Sequence, residues 1–361
     1  MNGKISSGEV MAICVGLIFA MFPGFANSLI LISSKNASLL SLIISFVVGF
    51  IPIFMIMYIS KKINTNFLDF SIKNFKVFGY ILDILLLILI IFSIFISTWL
   101  MMDFIISQFL TRSSYYLIAI FISIILAFVV NKGIETLSRT IFLLFIISVT
   151  VIVLLLLTLI PYVDLNNLKP FVDVPFKKIL NSSFVFLTTS ISPIFYILGL
   201  KHITKDKKNF SRKILVGYII ASCLIFMVLF FIISVYGIEL GSILTYPVYG
   251  LFKKVQIFGF IERIENFAAV FLITAFFAQV SYFVYFIKNN VSDIFKIKSS
   301  IKQNILTYVI AIIIPVVSIY CFKNYSLFLY IRYAPYVFLI FYIILIIYFV
   351  RCLFIKKKNT S

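Results

Sequence analysis

Two short stretches carry groups able to hold a small molecule without any charged side chain: Phe22-Pro23-Gly24-Phe25-Ala26-Asn27 and Thr188-Thr189-Ser190-Ile191-Ser192-Pro193. Proline has no N–H to donate and obstructs the turn before it, and glycine relaxes the backbone. Either one interrupts a helix and leaves carbonyl and amide groups that can turn toward a ligand. Asn27, Thr188, Thr189, Ser190 and Ser192 add short neutral polar groups beside those backbone atoms. Pro23, Gly24, Asn27, Thr188, Thr189, Ser190, Ser192 and Pro193 are therefore the candidate ligand-binding residues, and the chemistry they suit is recognition.

Equipment for bond-making is missing from the sequence. His202 is the single histidine and falls in the basic loop between spans 6 and 7, so no Ser/His/Asp triad or multi-histidine metal site is expected. Cys14, Cys223, Cys321 and Cys352 lie singly in apolar segments, without paired metal-ligand spacing. No glycine-rich phosphate loop runs into Lys-Ser/Thr, which argues against a nucleotide-driven motor. The expectation is a non-enzyme with neither metal nor cofactor. A second set of charged residues suits a gate or an ion pair: Asp103, Glu135, Arg139, Glu262 and Glu265. Glu135 and Arg139 stand four apart, on one helical face, where a structural ion pair is at least as good a reading as a gate. Glu262 and Glu265 flank Arg263, either to orient a ligand amine or as an interfacial salt-bridge cluster. Asp83 and Asp103 fall in apolar runs, where an unpaired charge is costly.

The elements that must position these residues are membrane helices. Of 361 residues, 63% are hydrophobic and 12% charged, against roughly 45–50% and 25% in a soluble domain. A hydrocarbon core about 30 Å thick takes roughly 20 apolar residues per helical crossing. Ten such runs are expected, at 10–33, 37–60, 78–110, 115–130, 141–160, 179–200, 214–235, 267–287, 305–322 and 334–355. The fold class is thus an all-α membrane protein of about ten transmembrane helices. The first run exceeds a secretion signal in length and leads straight into another span, so it is kept as helix 1.

Of the 31 Lys and Arg residues, 21 fall on the side that holds both termini, which predicts cytoplasmic termini. The net charge of +19 sits between apolar runs rather than on a recognition motif, so anionic lipid head groups, and no nucleic acid, are the expected partners. The cluster from Lys201 to Lys213 and the tail Lys356, Lys357 and Lys358 act as topology signals. The segment 165–178, with Pro170 and Pro175, and the segment 241–258 read as external elements. Tyr246 and Tyr249 suit the membrane interface, and Leu156 and Leu157 are expected to face lipid.

Pro23 and Pro193 occupy the first and sixth spans, the same place in two successive sets of five. That is the pattern of a 5+5 inverted repeat, approximately 7–160 and 179–355 within one transmembrane domain spanning 1–361, with a midplane site at interrupted helices 1 and 6. Proline also kinks membrane helices without binding anything, as expected of Pro52 and Pro315.

This architecture resembles the amino acid/polyamine/organocation transporter superfamily. Lys132-Gly133-Ile134-Glu135-Thr136-Leu137-Ser138-Arg139, Asn167-Leu168-Lys169-Pro170, Thr245-Tyr246-Pro247 and Phe260-Ile261-Glu262-Arg263-Ile264-Glu265 resemble, more narrowly, its spore-germination permease branch, the B subunit of nutrient germinant receptors. The resemblance spans nearly the whole chain. It implies a permease-like subunit in the spore inner membrane, acting with a membrane-subunit partner and a lipoprotein partner. The ligand it implies is an amino acid or similar small nutrient. Pro23-Gly24 departs from a glycine-rich transporter break. An ion-coupled secondary amino acid transporter is the alternative; a purely structural scaffold would explain the spans but not the matched breaks.

Overall fold

The computed structural model describes residues 3–253, 265–322 and 326–355. These are helical nearly throughout, and the only β-type pairing among them is one isolated bridge between Ile5 and Thr204. Among the described residues, nine helical stretches are long and apolar enough to cross a membrane, and the 17-residue apolar helix Tyr115–Asn131 completes the ten spans. Span 1 consists of α1 (Ser7–Phe19), a π turn (Phe22–Ala26) and α2 (Asn27–Ser34). Span 2 is α3 (Ser38–Ser60), the short α4 (Phe67–Phe75) follows, and spans 3 to 5 are α5 (Val77–Gln108), α6 (Tyr115–Asn131) and α7 (Ile134–Thr158). Span 6 runs through α8 (Phe176–Phe186), a π turn (Leu187–Ile191) and a 3-10 helix (Ser192–Ile203). The remaining spans are α9 (Phe210–Ile243), α11 (Glu265–Ile294), α12 (Ser300–Phe322) and α13 (Ser326–Phe354), with the short α10 (Pro247–Lys253) before α11. Glu262, Arg263 and Lys356 to Lys358 lie outside the described residues.

Local chemistry sets the helix starts. Ser6 and Glu9 form a reciprocal capping box at α1, satisfying two of the amides that a helix N-terminus leaves open. Ser114 caps α6 by accepting from the Leu117 amide at 3.2 Å. The elbow between α4 and α5 is tight enough that a Cβ on Gly79 would stand 2.5 Å from the Ser71 carbonyl oxygen, so the residue there has no side chain.

Ten crossings return the chain to its starting side. Ile5 pairs with Ile203 and Lys205 through backbone hydrogen bonds of 3.1 and 2.9 Å, and Lys62 Nζ donates to the Ile355 carbonyl at 2.6 Å. We call this the termini end and the opposite one the far end. Spans 1, 6 and 8 are the most enclosed and have the lowest mean hydropathy, whereas spans 5, 9 and 10 expose most of their surface and are more apolar. A helix in contact with acyl chains must be apolar all round; one packed inside protein can carry polar groups.

The structure corrects four local expectations. Leu156 is buried at 3% exposure and only Leu157, at 57%, faces outward. Tyr246 and Tyr249 are buried instead of lying at the interface. Span 7 continues through a kink at Gly237, where φ is +70°, so Gly241 belongs to α9. His202 ends the 3-10 limb of span 6 and is not a loop residue.

Candidate functional site

The two interruptions abut each other in the centre of the bundle. In span 1 the backbone leaves the helical region: Pro23 has ψ of 70° and Gly24 a φ of +135°. Proline cannot donate to the Phe19 carbonyl, and the positive φ is one that only glycine adopts without strain. A Cβ on Gly24 would stand 2.8 Å from the Tyr246 ring and 3.4 Å from Leu100, so the break is held against span 3 and the segment before α10. In span 6 the path stays helical and the pitch changes, from α to π to 3-10. Twelve residues is long for a 3-10 helix, whose hydrogen bonds are poorer than those of an α-helix. Tyr342 braces the junction from α13, donating to the Leu187 carbonyl at 2.6 Å.

The candidate side chains divide into two groups. Thr188 donates to the Phe184 and Val185 carbonyls, Thr189 to Val185 at 2.8 Å, and Ser192 to Thr188. These hydroxyls are used inside their own helix. Asn27 and Ser190 are completely buried, and neither the Asn27 amide nor the Ser190 hydroxyl has a protein partner. A buried polar group left unsatisfied costs about 1–3 kcal/mol, so such groups call for an explanation.

Two further orphans come from the neighbouring central spans: the Thr98 hydroxyl on α5 and the Gln279 amide nitrogen on α11. Gln279 Oε1 accepts from Ser97 at 2.6 Å, and Ser97 also reaches the Met21 sulfur at 3.8 Å, directly before the first break. Spans 1 and 6 thus each carry an unsatisfied neutral polar group at their breaks, spans 3 and 8 each carry another, and Gln279 is tied through Ser97 to the residue before the first break, where Phe19, Phe22 and Phe186 pack. Sequence reading missed Thr98 and Gln279. The only available signal was a polar residue in an apolar run, and many such residues simply bond to their own helix.

Asp103 closes the far end. Its two carboxylate oxygens accept from Tyr115 and Tyr246, each at 2.9 Å, joining α5, α6 and the segment before α10. Trp99 stacks on Tyr115 with ring centroids 4.7 Å apart, and Phe104 packs edge-on against Tyr246. Because Tyr246 also sits on Gly24, the cap and the first break are one assembly. Glu135 and Arg139 form an exposed ion pair within α7, a kind of contact worth little in water. Glu265 opens α11. Asp83 is buried toward the termini end, its Oδ1 accepting from Ser71 at 3.1 Å and Tyr348 at 3.3 Å. Glu9, which was not a candidate, accepts from Ser138 at 2.7 Å and ties α1 to α7.

Residues 4–327 match the spore germination protein family, described as the spore permease. The chain belongs to that family. Among its relatives, spore germination protein A2 of Bacillus subtilis (strain 168) is 30% identical over 167 residues, 45% of this chain and 45% of that protein. Spore germination protein KB of the same organism is 25% identical over 205 residues, 55% of this chain and 53% of that one. The aligned stretches span about half the length of those relatives.

Two solved structures share the fold of this chain. A Na+-coupled sialic acid symporter, substrate-bound and outward-open, aligns with a TM-score of 0.68 at 14% identity, covering 94% of this chain and 79% of that one. A nucleobase-cation-symport-1 family transporter, closed with bromovinylhydantoin bound, aligns with a TM-score of 0.60 at 12% identity, covering 98% and 92%. The chain is an integral membrane protein with about ten spans, a 5+5 arrangement and interruptions in spans 1 and 6.

Proposed function

We propose that this chain is the permease-like subunit of a nutrient germinant receptor and senses an amino acid or similar small nutrient beside its two breaks. The observation that carries this reading is the set of unsatisfied neutral groups, Asn27, Thr98, Ser190 and Gln279, supplied by four central spans. A zwitterion or neutral polar molecule can take hydrogen bonds from them and from freed backbone, with its apolar part against phenylalanine. Occupancy favours one arrangement of the bundle only to the extent that the ligand binds that arrangement more tightly. The bias passes to a partner membrane subunit and a lipoprotein subunit in the spore inner membrane, with both termini cytoplasmic. Pro23, Gly24 and Pro193 hold the breaks open, and Asp103 holds the cap.

The test is a nutrient dose-response of spores in which the native gene is replaced by variants matched for membrane abundance. Higher midpoints for Asn27→Ala and Ser190→Ala support the reading; unchanged midpoints for both remove it. A second reading, ion-coupled amino acid transport, draws support from the fold shared with a Na+-coupled symporter. It predicts gradient-driven uptake by the isolated chain in liposomes and no germination defect on deletion.

A further inference from the structure

A polar cleft of about 180 Å³ opens at the termini end, lined by Asn66 before α4, His202 at the end of span 6, Asn290, Ser292 and Asp293 of α11, and Gln303 of α12. Its hydrogen-bond pattern is one-sided. Asn290 commits its amide nitrogen to the Phe286 carbonyl at 3.0 Å, and Gln303 commits its own to the Ile297 carbonyl at 2.8 Å. Asn66 spends its amide nitrogen on Asp293. With the nitrogen ends fixed, the carbonyl oxygens of Asn290 and Gln303 turn away from those partners. Ser292 is 5% exposed, lines the cleft, and its hydroxyl has no protein partner.

Asp293 carries the negative charge of the cleft wall, while the charge of Lys207 acts on His202 at its edge. Asp293 forms no ion pair with a lysine or arginine among the described residues, and Asp69 lies close enough for its charge to act on both Asp293 and His202. This acidic, oxygen-rich cleft sits on the more basic side of the protein. Hard oxygen donors select hard cations. The described residues hold no group of three or more His, Cys, Asp or Glu that would suit a tightly bound divalent ion.

We propose that this cleft binds a monovalent inorganic cation. Bound there, the ion joins the 3-10 limb of span 6 to the end of α11. Tyr282, which also lines the cleft, already donates to the Tyr196 carbonyl of that limb at 2.6 Å. The ion therefore bears on the limb that begins at the second break, and its binding does not depend on the nutrient reading.

The experiment is thermal unfolding of the purified full chain in sodium, potassium, choline or methylammonium chloride at equal ionic strength. The expected result is a saturable rise in midpoint with sodium or potassium over choline. Asp293→Asn should weaken half-saturation at least tenfold while leaving the midpoint in choline unchanged. Ser292→Ala and Gln303→Leu keep the charge and should each weaken it several-fold, so they carry the test if Asp293→Asn does not fold. No alkali-specific rise, a rise with methylammonium alone, or half-saturation unchanged in these variants would overturn the proposal.

Discussion

The two interrupted spans break in different ways. Span 1 breaks by conformation: Pro23 and Gly24 leave the helical region, and the gap is propped by Tyr246 and Leu100. Span 6 breaks by pitch, with every turn still helical and the Thr188, Thr189 and Ser192 hydroxyls returned to its own backbone. A rigid, sterically defined break suits a fixed wall of a binding site. A length of π and 3-10 helix has poorer hydrogen bonds to give up and suits the limb that moves. On the proposed reading span 1 supplies the fixed wall, and span 6 supplies one ligand contact, Ser190, together with the limb that responds.

The largest effect is expected where that difference is sharpest. Gly24→Ala puts a side chain at a positive φ, costing roughly 1–2 kcal/mol, and drives it toward the Tyr246 ring, adding about 1–3 kcal/mol of overpacking. A fall of several degrees in the unfolding midpoint of purified protein should accompany loss of nutrient response. Ser190→Ala, at the other break, removes a buried hydroxyl with no protein partner and should leave the midpoint unchanged or raise it. Equal destabilisation at both sites would erase the distinction.

Next in size is the ligand response itself. Asn27→Ala removes two polar atoms with no protein partner. If the ligand satisfies them, the loss is about 1.4 kcal/mol, a tenfold rise in the dose-response midpoint. Ser190→Ala should raise it several-fold, both at unchanged abundance.

A smaller effect is expected at the cap. Tyr246→Phe keeps the ring on Gly24 and deletes a hydroxyl shared between Asp103 and the Leu100 carbonyl, worth about 1 kcal/mol. Trp99, the single tryptophan, stacks on Tyr115 at the same carboxylate. Its fluorescence should become more accessible to a soluble quencher in Tyr246→Phe, and still more so in Asp103→Asn. Unchanged quenching in both variants would detach the cap from the first break.

The spans were legible because the bilayer imposes a length and an apolar composition that each crossing must meet alone. The breaks were legible because Pro23, Gly24 and Pro193 act through backbone chemistry that no tertiary context removes. Hydrogen-bond partners were not. Thr189 and Ser190 are adjacent in sequence, yet one hydroxyl turns back to Val185 and the other finds no protein partner. That outcome depends on the π turn. Tyr246 read as an interfacial aromatic because its tie to Asp103 joins residues 143 positions apart. Leu156 and Leu157 look alike in sequence, and only packing distinguishes the buried one from the exposed one.

The smallest effect is predicted for Thr189→Val, and it decides between two views of span 6. If the Thr189 hydroxyl contacts the nutrient, its removal should raise the midpoint several-fold, as a lost ligand hydrogen bond does. In the structure that hydroxyl donates to the Val185 carbonyl at 2.8 Å within its own helix. Bonds of this kind bend a helix slightly and contribute little to stability. Valine keeps the branched shape, so the packed junction against span 1 is preserved. The expected dose-response shift is therefore less than about twofold, near that of Leu157→Ala on the exposed face of α7. Ser190→Ala, one residue along, should exceed both. A several-fold shift for Thr189→Val with none for Ser190→Ala would mean that the π turn rotates on binding and exchanges the two hydroxyls. Span 6 would then meet the nutrient through Thr189 in place of Ser190.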